Sequence, residues 1–361
     1  MKAFVTGGTG FIGQHVVRKL IKRGYAVNAL ARSPQSVEII ESLGAAAVSG
    51  DITDAASMQA GMEGCDLVFH LAAWYELGNI NWEKMETINV GGTRKVLRLA
   101  HKLGIPKIVY ASTIAVFGDT QGELVDEHYF NDGPFITDYD RTKWLAHYKV
   151  ALPLIEKGAP IIIAMPGVVY GPGDHSMIAE LMRMFYRGYP ILPAPESTVT
   201  YAHVEDIAEG IVLTAEKGQI GESYILAGPA IPLGEMVDFW SHLTGKPAPP
   251  LRIPAKMVRP LAPTMGLITG FTDLKSAFSV DGAAVAGATY MARADKARRE
   301  LGWKTRPLQT GMLETFEWIA RTEDERETAV VRKWEEQIGK LVLVGAMLLF
   351  VAWLLGRRRK A

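Results

Sequence analysis

Short apolar runs alternate with longer stretches of helical period through the first half of the chain. Lys2-Ala3-Phe4-Val5-Thr6 reads as a strand, and Phe11 to Arg23 as a helix with apolar positions at Ile12, Val16, Val17, Leu20 and Ile21. Gly24 suits a helix C-cap, after which Val27 to Ala31 is a second strand, Ser36 to Leu43 a helix and Ala46 to Ser49 a third strand. Ala55 to Met62 continues as a helix, and Leu67 to Leu71 is an apolar run of the kind that a strand buried on both faces shows. His70 in that run reads as a packed strand-end histidine, because no second His, Cys or carboxylate stands at metal-like spacing. A helix from Trp82 to Leu103 is interrupted at Gly91-Gly92, Lys107 to Ala111 is a further strand, and a helix runs from Tyr139 to about Glu156, capped by Thr137 or Asp138. Such alternation predicts an α/β fold with a parallel, doubly wound sheet and right-handed crossovers.

From Pro166 the alternation loosens. Helices are expected at Ser176 to Arg187, Val204 to Ala215 and Leu233 to Leu243, with one short strand at Ser223 to Leu226. Gly245 to Pro263 is rich in proline and 266–293 in Gly and Ala, followed by closing helices at Asp295 to Leu301 and Pro307 to Arg321. The expected division is 1–165 for a nucleotide-binding domain to which later segments return, and 166–321 for a smaller, mostly helical substrate domain with a lid-like portion. Residues 322–340 form a charged linker, and Leu341 to Leu355 contains no charged residue before Gly356 and Arg357-Arg358-Arg359-Lys360. A helix over 341–356 would rise about 24 Å against the roughly 30 Å of a hydrocarbon core, a gap that snorkelling of Lys340 and the terminal arginines can close. The expectation is a membrane anchor at the cytoplasmic face, with an oligomerisation helix as the alternative. A shallow, in-plane or re-entrant insertion would suit both the basic tail and the unsignalled domain before it, without deciding whether the tail spans or lies in the membrane.

The candidate chemistry begins at Thr6-Gly7-Gly8-Thr9-Gly10-Phe11-Ile12-Gly13, where glycines occupy a strand-to-helix turn. Side chains there would keep a pyrophosphate from the amides at the helix N-terminus, so the turn reads as a dinucleotide seat of Rossmann type. At the end of the second strand, where a ribose-binding acid would stand, the chain has Ala31-Arg32-Ser33. A small residue and a guanidinium leave room and charge for a 2′-phosphate, favouring NADP with NAD as the alternative; otherwise Arg32 is a solvated loop residue. Asp51 falls where a strand's carboxyl end meets the adenine side of the cleft. Tyr139 and Lys143 lie four apart on one helix and point the same way, so the ammonium is expected to lower the phenol's pKa and make it a proton donor and acceptor.

Composition narrows the field without adding chemistry. Lys plus Arg and Asp plus Glu number 39 each in 361 residues, which gives no basis for a nucleic-acid partner, and the single Cys65 excludes an intramolecular disulfide or a Cys-rich metal site. No metal is expected. Met1-Lys2 leads straight into the first strand, leaving no room for a cleaved leader, and one free thiol suits a reducing compartment.

Taken in order, Thr6 to Gly13, Asp51-Ile52, Leu71-Ala72-Ala73, Asn89-Val90-Gly91-Gly92-Thr93, Ser112-Thr113, Tyr139 to Lys143, Pro166 to Gly173 and Tyr201 to Asp206 resemble an extended short-chain dehydrogenase/reductase. The resemblance implies that Tyr139 is the acid/base, Lys143 holds the nicotinamide ribose, and Thr113, four residues before Phe117, hydrogen-bonds the reacting oxygen. With the readings above it places Gly7, Gly10, Phe11, Ile12, Gly13, Arg32, Asp51, Ile52, Leu71, Ala72, Ala73, Asn89, Tyr139, Lys143, Pro166 and Val168 on the cofactor. Homodimers are common among such proteins.

The sugar-nucleotide epimerases and dehydratases of this superfamily usually carry an Asn after the Pro of the Pro166 motif and an Arg two residues before the Tyr of the Tyr201 segment; here those positions are Gly167 and Val199. Each lost charge-assisted contact would be worth about 1.5–3 kcal/mol to a diphosphate. The chain therefore resembles more the dihydroflavonol reductase and 3β-hydroxysteroid dehydrogenase branch, which implies reduction of a ketone or oxidation of a secondary alcohol on a bulky, largely apolar small molecule. Trp74, Tyr75, Phe117, Phe130, Tyr170 and Met177 are the candidates for lining that substrate, with about half expected to be core. An epimerase or dehydratase that re-reduces its own intermediate, and a non-catalytic nucleotide-binding member, are the competing readings.

Overall fold

The computed structural model describes residues 1–75, 81–261 and 280–324. Residues Met1–Thr315 form one compact unit, and Phe316–Ala361 a second in which 316–324 are helical. The charged linker from 325 onward and the expected membrane segment 341–356 lie outside the described residues, as do residues 262–279 of the stretch read as lid-like. Among the described residues no helix is long and apolar enough to cross a membrane.

The alternation read from the sequence becomes β1 (Lys2–Thr6), α1 (Phe11–Lys22), β2 (Ala26–Ala31), α2 (Pro34–Ser42), β3 (Ala46–Ser49), α3 (Ala55–Met62), β4 (Leu67–His70) and, after a helical run, β5 (Lys107–Ala111). In β1 Ala3, Phe4 and Val5 are fully buried, and in α1 the helix-spaced Gly13, Val16, Val17 and Leu20 face the sheet. With β6 (Ile161–Pro166) and β10 (Ser223–Leu226) these strands form a seven-stranded parallel sheet of order β10-β6-β5-β4-β1-β2-β3. Strand order reverses at β1 and β4, which opens a crevice at their carboxyl ends.

Two long helices carry widened turns where the sequence weakens the ladder. α4 (Trp82–Glu86) and α5 (Thr93–Lys102) flank a π turn, Thr87–Gly92, so Gly91-Gly92 widens the helix rather than ending it. Gly92 lies against Ile52, where a Cβ would meet Ile52 Cδ1 at 2.6 Å. α6 (Asp138–Ala146) and α7 (Leu152–Glu156) flank a second π turn, His147–Ala151, just before Pro153, which supplies no amide. Thr137 caps α6 by accepting from the Asp140 amide at 3.1 Å.

After β6 the structure adds short strands to the expected helices. β7 (Val168–Tyr170), β9 (Thr198–His203), β11 (Ala230–Pro232) and β13 (Thr289–Tyr290) make a small four-stranded sheet, and β8 (Ile191–Pro193) pairs with β12 (Leu251–Ile253). Apart from the six-residue β9 these strands have two or three residues, too short to display a period of two, so the sequence conceals them. The expected helices appear as α8 (Met177–Tyr186), α9 (Val204–Lys217) and α10 (Leu233–Thr244).

Candidate active site

The glycine turn is enforced by backbone contacts. Gly7 has φ +74°, and a Cβ there would stand 2.6 Å from the Ala72 nitrogen; at Gly13 it would stand 2.0 Å from the Gly7 carbonyl oxygen. The chain leaving β4 through Leu71 and Ala72 therefore crosses directly over the turn, and α1 starts on top of it. Gly10 begins that helix with no side-chain cap, leaving its first amides to an anion. Phe11 and Ile12 are half-buried in the first turn, and Ala73 is exposed where the chain emerges. This cradle at the switch point fits a dinucleotide.

At the next two strand ends, Arg32 is exposed just past β2, and Asp51 lies beyond β3 with Oδ1 accepting from the Thr53 amide and hydroxyl, both at 2.7 Å. Burial raises the Asp51 pKa, yet the Thr53 hydrogen bonds and the Arg32 and Lys95 charges together hold it below the ordinary carboxylate value.

Two residues expected at the cofactor turn inward instead. Ile52 is 5% exposed and packs beneath Gly92. Asn89 is 1% exposed, and its amide is consumed within the protein: Oδ1 accepts from the Trp74 amide at 2.7 Å, while Nδ2 donates to the Trp74 carbonyl at 3.0 Å and to Thr142 Oγ1 at 3.1 Å. It ties the strand exit at Trp74 to α6, because a buried amide is costly unless its bonds are made.

Thr113 follows β5, accepts from the Ala115 amide at 3.1 Å and reaches the Pro166 carbonyl at 3.4 Å. The Tyr139 phenol and the Thr113 hydroxyl, both singled out from the sequence, lie close enough for the hydroxyl to act on the phenol. One turn along α6, Lys143 Nζ donates to the Ala111 carbonyl at 2.9 Å and stands 4.9 Å from the Tyr110 ring centroid. The expected electrostatics are reversed. Burial pushes the Tyr139 pKa up, the Asp140 charge adds to this, and the Thr113 hydrogen bond only partly opposes it. Burial likewise holds Lys143 down at about 7. Both groups are driven toward their neutral forms.

Behind Lys143 lie two histidines that burial, aided by its charge, pushes down to about 3. His70 bridges Thr6 Oγ1 at 2.7 Å and Thr93 Oγ1 at 2.9 Å and stacks on Tyr110, in keeping with the packed role read from the sequence. His147 bonds Ser112 Oγ at 2.8 Å. Nothing local flags the second pair in the sequence, since its members stand 35 positions apart.

The substrate-lining candidates separate sharply. Tyr75, 45% exposed, sets its ring edge against Tyr139 with centroids 4.9 Å apart. Trp74 is half-buried beneath the Lys84 ammonium, and Met177 is half-buried at the start of α8, close in sequence to β7 with its half-buried Val168. Phe130 is 58% exposed and packs on Tyr148 and Trp144. Phe117 and Tyr170 are core residues, 1% and 2% exposed, whose rings abut Tyr129 and His203. Next to Pro166, a Cβ on Gly167 would meet Thr200 Oγ1 at 2.7 Å and the Thr200 carbonyl at 3.0 Å, so the backbone of β9 closes the position to any side chain.

Residues 3–227 match the model of the NAD dependent epimerase/dehydratase family. A Synechocystis sp. protein named provisionally as a dihydroflavonol 4-reductase is 31% identical over 88% of this chain and 94% of its own. A Stigmatella aurantiaca protein named 4-hydroxy-2-methyl-3-oxo-4-farnesyl-3,4-dihydroquinoline-1-oxide ketoreductase is 32% identical over 68% of this chain and 72% of its own. Among solved structures, that of gox2253 superposes with a TM-score of 0.77 at 30% identity, covering 89% of this chain and 98% of that one.

Proposed function

This chain belongs to the NAD dependent epimerase/dehydratase family as an NAD(P)-dependent oxidoreductase of the extended short-chain dehydrogenase/reductase type, and from that premise we propose that it is an NADP-dependent reductase of a ketone on a bulky, largely apolar molecule. The observation that carries the reading is the meeting of the Thr113 and Tyr139 hydroxyls with the Tyr75 ring set against the phenol. Bound nicotinamide supplies the hydride. Thr113 holds and polarises the carbonyl oxygen, and Tyr139 Oη delivers a proton to it as negative charge develops. Lys143, anchored on the Ala111 carbonyl, is placed to hold the nicotinamide ribose beside them.

Arg32, which forms no ion pair among the described residues, supports the 2′-phosphate. The closed Gly167 position supports an apolar substrate over a sugar nucleotide, as do the ketoreductase and dihydroflavonol 4-reductase names of the relatives. A tail that carries the enzyme at the cytoplasmic face of a membrane belongs to the same proposal, supported by the uncharged run Leu341 to Leu355.

Purified full-length protein, NADPH and a panel of bulky cyclic ketones test this reading. Net NADPH oxidation with formation of the alcohol is the expected outcome. Turnover of UDP-glucose without net cofactor consumption would overturn it in favour of an epimerase.

A further inference from the structure

Asp140 follows the acid/base residue directly and, at 4% exposed, is a buried carboxylate in the first turn of α6. The Tyr290 hydroxyl donates to its Oδ2 at 2.9 Å across 150 positions of sequence. Tyr290 belongs to β13, which pairs with β9 in register Tyr290↔Val199.

The strap that carries Tyr290 is fastened on its other side to the loop that follows Thr113. The Thr289 amide and hydroxyl both donate to Asp119 Oδ1, at 3.0 and 2.9 Å, and the Thr120 amide donates to the Thr289 carbonyl at 2.7 Å. Farther along, the Val125 amide donates to the Met291 carbonyl at 3.1 Å, and the Arg293 amide returns to the Val125 carbonyl at 2.8 Å. The phenol that meets Asp140 is thus held by backbone bonds on two elements, one of which leads back to Thr113.

We propose that Asp140 and Tyr290 form a positioning pair through which the small sheet beyond β6 sets the place and the proton of Tyr139. The proposal rests on Tyr139 being the acid/base. Two consequences follow from the geometry. The hydrogen bond locks the first turn of α6, so the phenol keeps its contact with Thr113; and a carboxylate one residue away disfavours the phenolate, keeping the donor loaded for reduction. The pKa of Tyr139 is accordingly raised by Asp140 in addition to burial. Among the described residues, the groups near Tyr139 and Asp140 include Lys143 on α6, Tyr110 and Thr113 from β5 and its exit, Tyr75 after β4, and Tyr290 with Asp119 behind it.

Asp140→Asn keeps an acceptor for Tyr290 and removes the charge; Tyr290→Phe removes the bond and leaves the charge. With NADPH and α-tetralone, or the best-reduced ketone of the panel, the basic limb of the kcat/KM profile is expected to move down by roughly one pH unit in Asp140→Asn. In Tyr290→Phe kcat should fall about tenfold, with no downward move of the limb and NADPH affinity by fluorescence within about twofold. A thermal midpoint within a few degrees of wild type in either variant shows that the fold survives, and one such variant suffices for the test. An unmoved limb in folded Asp140→Asn, or wild-type kcat in folded Tyr290→Phe, overturns the pairing while an inactive Tyr139→Phe leaves the acid/base reading standing. An active Tyr139→Phe removes that reading and the positioning role together.

Discussion

The two walls of the cleft are built by different physics. On the cofactor wall, strands of four to six residues lie in a parallel sheet, and the turn between β1 and α1 is fixed by backbone clashes that any Cβ would create. On the wall proposed for the substrate, strands that apart from β9 have only two or three residues are held by individual bonds such as Thr289 to Asp119 and Tyr290 to Asp140. The first wall is specified many times over by hydrophobic period and glycine; the second depends on single contacts between residues far apart in sequence. A ligand common to many enzymes can be met by the first, and a particular substrate by the second.

The largest effect belongs where the walls meet. Tyr139→Phe removes the proton donor while keeping the ring against Tyr75, so kcat should fall about 10²–10⁴-fold with NADPH affinity nearly unchanged. Parallel loss of binding and turnover would place the phenol in the cofactor seat alone and erase the distinction between the walls.

Next comes the cofactor wall by itself. Gly13→Ala puts a methyl 2.0 Å from the Gly7 carbonyl oxygen, and NADPH affinity by fluorescence titration should drop roughly 30- to 100-fold, about 2–3 kcal/mol. Gly91→Ala is the matched control: nothing stands within 4 Å of its Cβ, so affinity should hold and stability rise by about 0.5–1 kcal/mol.

This asymmetry also explains what the sequence disclosed. The parallel, doubly wound sheet was legible because runs such as β1 and β4 are apolar and buried on both faces, a signal local to each segment, whereas the strand β6 and the order of the seven strands were not read. That Thr113 comes beside Tyr139, with Lys143 one turn along the same helix, was legible from spacing and motif. Asn89 was read in the right place with the wrong partner, since sequence shows the amide but not that Trp74 and Thr142 consume it. Phe117 and Tyr170 were grouped with Trp74 and Tyr75 because aromatic character alone does not tell a core ring from an accessible one. The sign of the Tyr139 shift was hidden too, because burial, a tertiary property, outweighs the neighbouring ammonium.

Lys143 gives the cofactor-free protein a pH signature. Its folded-state pKa lies at about 7, below the ordinary lysine value, so between these two values the unfolded chain binds more protons and stability rises with pH. Lys143→Met should therefore raise the thermal midpoint most at pH 6, where the wild type buries a charge, and the gain should shrink toward pH 10. A gain independent of pH would mean that packing, not charge, sets the difference. Smaller again is the effect at the adenine end. Arg32→Ser should reduce the preference for NADPH over NADH about tenfold in KM and leave kcat alone; an unchanged ratio would return Arg32 to the role of a solvated loop residue.

The smallest effect lies on the outer face of the cofactor wall, where His15, Lys19 and Arg23 of α1 meet Glu205, Glu209 and Glu216 of α9. Hydrogen bonding from His15, with Lys19 adding, lowers the Glu205 pKa against the opposing effect of burial. A depressed carboxylate contributes stability that is present above the unfolded value near 4.3 and disappears as pH falls through the folded one. Glu205 is 36% exposed, so solvent screening limits the contribution to about 0.5 kcal/mol. Glu205→Gln should therefore lower the midpoint slightly at pH 7, less in high salt, and converge on wild type in acid. A larger loss would mean that this solvated ladder, rather than the buried glycine turn, fixes how α1 sits over the cleft.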